Sequence, residues 1–314
     1  MPSSTATGPS AKDLLRDFYR VCRNRKHIWS IGVYTGNTPL DLTPADKVLN
    51  PVLTAQDVTD VKAEFVADPF MLKENNTWHM FFEVLDKADD LGKIGLATSP
   101  NGYDWTYDKL VLEEPFHLSY PYVFKWENEY YMIPETYQSN SVRLYKATNF
   151  PYEWTFVKPL IEDECYVDSS LVYFNDYWWL FTSSIDWDTL HLYYAETLTG
   201  EWKKHPQSPL ITGDKSTARP GGRVIAVDGK VVRYAQDDLR IYGEKVRAFE
   251  ISELTPTTYV EREVSNSPVL SPSGSGWNAL GMHTVDPHNL GENSWIACVD
   301  GVQAQSVSQW IQSL

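Results

Sequence analysis

Short apolar runs alternate with clusters of Asn, Asp and Gly along most of the chain, a pattern that predicts strands joined by tight turns. The segment ADPFMLKENNTWHMFFE at 67–83 is one such pair of runs, with an acid near each extremity. It recurs as SYPYVFKWENEYYMIPE at 119–135 and as VDSSLVYFNDYWWLFTS at 167–183. Asp68, Tyr120 and Asp168 share one position of this repeat; ten residues on stand Trp78, Tyr130 and Trp178, and fifteen on stand Glu83, Glu135 and Ser183. Looser copies follow at 218–237, led by Arg219, and at 283–300, which holds Asp286 and Asp300.

Each interval between copies holds two further strand-like runs, GKIGLATS and DWTYDKLVL after the first and SVRLYKAT and EWTFVKPLI after the second. LHLYYAET and EWKKHPQSPLI follow the third copy, KVRAFEIS and TYVEREV the fourth. Four strands per repeat of roughly fifty residues is the signature of a propeller blade. The last copy has only two strands; IWSIGVYTG (28–36) and KVLNPVLT (47–54) read as its missing third and fourth. The predicted fold is therefore all-β, a five-bladed β-propeller whose ring is closed by N-terminal strands completing the last blade. The expected blades cover about 66–114, 117–163, 166–212, 217–270, and 280–301 with 28–54, within a propeller spanning 28–314. Residues 1–27 read as a tail with a short basic helix, since Leu14, Leu15, Phe18, Val21 and Cys22 fall at helical spacing.

Composition narrows the partners. A net charge of −15 over 314 residues argues against nucleic acid, which draws on clustered Lys and Arg. Cys22, Cys165 and Cys298 lie far apart without CxxC spacing, so they read as reduced thiols with no metal cluster. No signal peptide and no apolar run of transmembrane length is seen, and the expectation is a cytoplasmic protein without a membrane span.

In a propeller the first strand of each blade lines the central channel and the second runs back beside it. The start of the first strand and the end of the second therefore meet at one mouth, which places Asp68 near Glu83. Glu135, Asp168, Arg219, Gln236, Asp237, His283 and Asp286 are expected to join them there. Crowded carboxylates push one another's pKa values apart, which suits one to donate a proton while another stays ionised, the need of glycoside hydrolysis. Arg219 and Arg223 flank a Gly-Gly that lets backbone approach closely; one of them is expected to pair with a channel carboxylate, and an acidic or phosphorylated sugar would suit the pair. Trp78, Tyr130, Trp178 and Trp295 share one repeated position, and Trp105, Trp154 and Trp202 another, so both sets read as packing between blades. Tyr120, Tyr137, Trp187 and Trp277 break the repeat and are the candidates for stacking on sugar. No cofactor is expected; channel Asp and His residues could take a divalent cation such as calcium, though no ligand spacing requires one.

Asp68 in ADPF and Asp168 in VDSSLVYF give the chain a pattern that resembles the five-bladed propeller glycosidases, especially glycoside hydrolase family 43. IWSIGVYTG, EPFHLSYPYVFKWENEYYMIPET, ARPGGRV and GMHTVDPH are more closely similar to the amino-terminal propeller domain of plant glucosamine inositolphosphorylceramide transferases and its bacterial single-domain relatives, over about residues 28–301. The family 43 resemblance implies an inverting enzyme with Asp68 as general base and Asp168 as the residue that tunes pKa and orients substrate. The family's general acid, a Glu opening the fourth blade, is replaced by Arg219, which cannot donate a proton at neutral pH; Glu135 is the preferred substitute, with Glu83 next. The transferase resemblance implies a glycosyltransferase partner domain elsewhere. Two functions follow: a glycosidase-like enzyme on an oligosaccharide or glycoconjugate, or a non-catalytic sugar- or glycolipid-binding module accessory to a glycosyltransferase.

Overall fold

The computed structural model describes residues 27–304, Asp228 excepted; the helix expected over 11–22 lies outside the described residues. In chain order, β1 (His27–Thr38) and β2 (Asp41–Pro44) precede β3 (Ala63–Glu74), β4 (Thr77–Asp86), β5 (Gly92–Ser99) and β6 (Thr106–Leu112). The second group is β7 (Ser119–Trp126), β8 (Glu129–Glu135), β9 (Ser141–Asn149) and β10 (Glu153–Glu162), and the third is β11 (Tyr166–Phe174), β12 (Tyr177–Ser184), β13 (Leu190–Ala195) and β14 (Lys203–Lys204). The fourth contains β15 (Arg219–Pro220), β16 (Ile225–Val227), β17 (Lys230–Asp237), β18 (Lys245–Leu254) and β19 (Tyr259–Glu263); β20 (Val285–Gly291) and β21 (Ser294–Ala304) end the series.

These strands form five antiparallel sheets arranged as a five-bladed β-propeller. The closing blade runs β2-β1-β21-β20, so the amino-terminal strand pairs with the carboxy-terminal one along its length, from His27 opposite Ala304 to Gly36 opposite Trp295. This closure leaves no open sheet edge between first and last blades. The expected fourth strand at 47–54 needs correction. The regular outer strand is β2, paired with Tyr34–Thr38 of β1, while the backbone of residues 47–54 meets β1 just around Ile31, through Val52 and Leu53, and forms no strand. The cause is a side chain: Asn50 accepts from the Val33 N–H at 2.8 Å and donates to the Val33 carbonyl at 3.0 Å, standing in for a strand at the middle of β1.

The repeated aromatics pack as expected. Trp78, Trp178 and Trp295 are buried between blades, and Trp126 meets Trp178 edge-to-face at 4.8 Å across the second and third. The other set has a further use: the indole N–H groups of Trp105, Trp154 and Trp202 donate to the carbonyls of Gly102, Pro151 and Leu198, pinning the turn before each outer strand. Among the described residues no helix is long and apolar enough to cross a membrane.

One local distortion recurs and positions the site. The inner strands β3, β7 and β11 slip register between Ala67 and Phe70, Ser119 and Tyr122, and Val167 and Ser170. In each bulge the repeat-leading residue has left-handed backbone, with φ of 52° at Asp68, 45° at Tyr120 and 50° at Asp168. Such backbone is uncommon for residues other than glycine, and a bulge there re-aims a side chain and its N–H. The fourth blade instead breaks its inner strand at Gly221–Val224, where Gly222 has φ 138° and a Cβ would lie 1.8 Å from the Val285 carbonyl oxygen. Only glycine permits that contact between the fourth and fifth blades.

Candidate functional site

Two of the bulges are held by acids of neighbouring blades. The Asp68 N–H donates to Asp300 Oδ2 at 3.0 Å, and the Asp168 N–H donates to Glu135 Oε2 at 3.1 Å. Asp68 also accepts from the Thr284 hydroxyl at 2.8 Å. Asp168 Oδ2 accepts from the Arg219 guanidinium and, at 3.0 Å, from Gln236 Nε2. Asp68, Glu83, Glu135, Asp168, Arg219, Gln236 and His283 are all buried. Asp68 feels the charges of Asp300, Glu83 and Asp168, and Glu135 feels those of Asp168, Arg219 and Asp68. Residues from distant stretches of chain thus form one electrostatic cluster.

Burial, reinforced by the neighbouring acids and opposed by His283, pushes Asp68 up to about 7. Burial and the adjacent Asp168 drive Glu135 well above the usual carboxylate range, Arg219 opposing. His283 is pulled down by burial, but Asp300 and Asp68 outweigh this and raise it to about 9. Its Nδ1 lies 2.6 Å from Asp300 Oδ2 and 3.7 Å from Asp68 Oδ1,, and its ring stacks on Trp29 at 3.9 Å. At the cluster's edge Glu83 Oε1 lies 3.3 Å from His117 Nε2. His117 Nδ1 accepts from the Gly92 N–H, so Nε2 carries the proton that faces Glu83.

Asp68, His283 and Asp300 bring three ligand atoms within 4.8 Å of one another. Calcium takes roughly six to eight oxygens, and this trio offers two carboxylates and a ring nitrogen. This trio fits a buried ion pair better than a resident hard cation.

Four expected site residues, Asp286, Arg223, Tyr120 and Asp237, do not join the cluster. Asp286 and Arg223 form a buried pair further along the inner strands, where Asp286 also meets His288 Nε2 at 2.9 Å and the Met71 N–H at 2.6 Å. Arg223 donates onward to the Val123 carbonyl at 2.9 Å, so one side chain of the fourth blade ties the second and fifth. Tyr120 is completely buried, and its hydroxyl contacts Ser170 Oγ and the Gly222 backbone. No ring face is left for a ligand, so the stacking assignment is withdrawn. Tyr137 is buried as well, and Trp277 fills the space beside Gly32 and Gly301.

Asp237 does not join the channel acids; it pairs with Arg247 at 2.9 Å. Strand alternation explains why. Gln236 faces the channel, so Asp237 faces away and Asp238 returns to the channel side. Asp238 is buried, with Oδ2 3.6 Å from Arg219 Nη1 and Oδ1 accepting from the Gly243 N–H at 2.6 Å. Sequence reasoning missed Asp238, and also Asp300 and Thr284 as partners of Asp68. It missed Trp29 and Tyr242 too: Tyr242 and Trp187 flank the Arg219 guanidinium, each at 5.0 Å. The two arginines, expected as one anion clamp, sit in separate networks, each already matched by carboxylate.

Comparison with known proteins agrees with this architecture. The catalytic domain of a Coprinopsis cinerea GH62 α-L-arabinofuranosidase superposes with TM-score 0.56 at 12% identity, covering 88% of this chain and 97% of that one, a likeness of fold. The glucosamine inositolphosphorylceramide transferase 1 of Oryza sativa subsp. japonica is 38% identical over 309 residues, covering 91% of this chain and 41% of that protein. The Arabidopsis thaliana protein of the same name is 33% identical, covering 88% and 39%. The chain thus spans about two fifths of these curated relatives. Residues 22–302 match the family described as "Glucosamine inositolphosphorylceramide transferase 1, N-terminal", and the chain belongs to that family.

Proposed function

We propose that the funnel is a glycosidase-like active site for an oligosaccharide or glycoconjugate. The observation that carries this reading is the unequal upward push on two carboxyls of one cluster: Glu135 driven well above the carboxylate range by burial and Asp168, and Asp68 raised to about 7. Glu135 would protonate the leaving oxygen. Asp68 would take the proton of an attacking water, oriented by the Thr284 hydroxyl. Asp168, fixed by Arg219 and Gln236, would keep Glu135 neutral and position the substrate. Activity should rise through about pH 7 as Asp68 ionises and fall in more alkaline solution as Glu135 loses its proton.

The test is Glu135→Gln, which keeps an oxygen to accept the Asp168 N–H. With sugar or alkyl leaving groups kcat/KM should fall by about 10²–10⁴. Dinitrophenyl glycosides, whose leaving group needs no proton, should be nearly unaffected. Asp68→Asn should slow both substrate types. Equal losses for Glu135→Gln on the two types would remove Glu135 from the acid role.

A second reading has a specific observation behind it. The relatives are named as transferases and are more than twice as long as the matched region, and Arg219 holds the place where a fourth-blade acid would stand. On this reading the propeller binds sugar or glycolipid beside a glycosyltransferase. Saturable glycan binding by the wild type, with no product released, is the result that would favour it.

A further inference from the structure

Three buried polar atoms of the fourth blade have no hydrogen-bond partner: Arg219 Nη1, Gln236 Oε1 and Asp238 Oδ2. Their residues are 5%, 0% and 7% exposed, so each bare atom is a cost that a ligand would relieve. Arg219 Nη1 and Asp238 Oδ2 are 3.6 Å apart, too far to bond each other. One oxygen about 2.8 Å from each would complete both, provided the covering side chains part to admit it and it accepts from the guanidinium while donating to the carboxylate. A hydroxyl does this; a carboxylate or ionised phosphate oxygen does not, because it has no proton for Asp238. Electrostatics point the same way. The Arg219 charge is already matched by Asp168 and Asp238, so a further anion meets net repulsion. The walls are aromatic: Trp187 and Tyr242 lie on the guanidinium and 5.4 Å from one another, and Tyr242 continues to Trp29 at 6.0 Å.

We infer that Arg219, Asp238 and Gln236, walled by Trp187 and Tyr242, form a subsite for a neutral sugar, gripping it through a hydroxyl held between the guanidinium and Asp238. This rests on the carbohydrate reading of the funnel but not on hydrolysis. It also reverses the expectation that Arg219 would receive an acidic or phosphorylated group.

The experiment is ligand-observed saturation-transfer NMR on the full chain. The probes are the methyl glycosides of glucose, galactose and mannose, with glucuronate and inorganic phosphate as anionic counterparts. At least one neutral glycoside should bind, and both anions should bind about tenfold more weakly or not at all. Asp238→Asn is the matched variant, since its Oδ1 still accepts from Gly243 while the second oxygen becomes a donor. It should weaken the neutral glycoside about tenfold and narrow or invert the gap to the anions. Wild-type preference for either anion overturns the assignment, as do silence from all three glycosides at 100 mM (about the weakest binding this probe detects) and an Asp238→Asn protein that folds and binds like wild type. Repeating the titration on Glu135→Gln separates the two claims. Glycoside binding by Glu135→Gln with no turnover by the wild type sinks hydrolysis and leaves the subsite, whereas wild-type turnover without glycoside preference sinks the subsite alone.

Discussion

Asp286 is held at about 2, against an ordinary 3.8, because Arg223 and His288 outweigh the burial that would raise it. That depression corresponds to roughly 2.5 kcal/mol of pairing. The folded-state value is the lower one, so this stabilisation is present above about pH 4 and is lost as pH falls through about 2. Asp286→Asn at pH 7 removes the negative charge and leaves Arg223 a largely buried cation held by neutral oxygens alone, among them the Val123 and Met71 carbonyls. Breaking a buried pair in this way costs about 3–5 kcal/mol, and the two routes converge near 3. Urea denaturation followed by tryptophan fluorescence should show a midpoint drop with an unchanged slope. The double replacement Arg223→Met with Asp286→Leu should recover most of the loss, since apolar groups of similar volume carry no unpaired charge. A single-variant cost below about 1 kcal/mol, or a double variant no better than the single, would falsify the view of this pair as the ionic hub of the ring. Glycan binding by the folded single variant should match wild type, because the pair lies apart from the cluster around Asp68.

Two further outcomes are expected. His283 has a folded value of about 9 against an ordinary 6.5, so its contribution is full below about pH 6.5 and is lost as pH rises through about 9. Urea midpoints should therefore decline between pH 7 and 10 by on the order of 3 kcal/mol, and His283→Gln should be less stable at pH 7 with a flatter profile; a level wild-type profile would contradict the ion pair. Gly222→Ala should cost about 3 kcal/mol or more, because its Cβ would meet the Val285 backbone. Gly274→Ala, also at positive φ but with nothing within 4 Å, should cost only about 1 kcal/mol, and equal effects would remove the steric argument.

The ring was legible because propeller blades repeat the same burial problem. Each inner hairpin needs two apolar runs, a tight turn and an aromatic at one register, and those recur in the chain at fixed offsets. The split closing blade was legible by subtraction, but its outer strand was not, because nothing in the string says that the Asn50 amide will serve as backbone. Parity would have found Asp238, since Gln236 and Asp238 share a face that Asp237 cannot. The bulges at Asp68, Tyr120 and Asp168 are harder. They keep the repeat's spacing while turning each side chain, and only coordinates show that the same position yields a channel acid twice and a buried tether once.

The channel acids have two duties at once. Asp300 and Glu135 hold the bulges of the next blade through backbone N–H groups, so they are inter-blade staples as well as members of the charged cluster. This explains how so many buried carboxylates persist in one place: each has a donor supplied by a different stretch of chain, and the ring supplies them only when closed. It also dictates how the chemistry must be probed. Alanine at Glu135 or Asp68 would remove an acceptor or a hydrogen-bond partner along with the charge, and the loss of activity would be inseparable from loss of the mouth's shape. The amide replacements keep one oxygen for the backbone or hydroxyl donor while removing the titrating proton, so a change they produce in leaving-group dependence or in the pH profile reports on proton transfer itself.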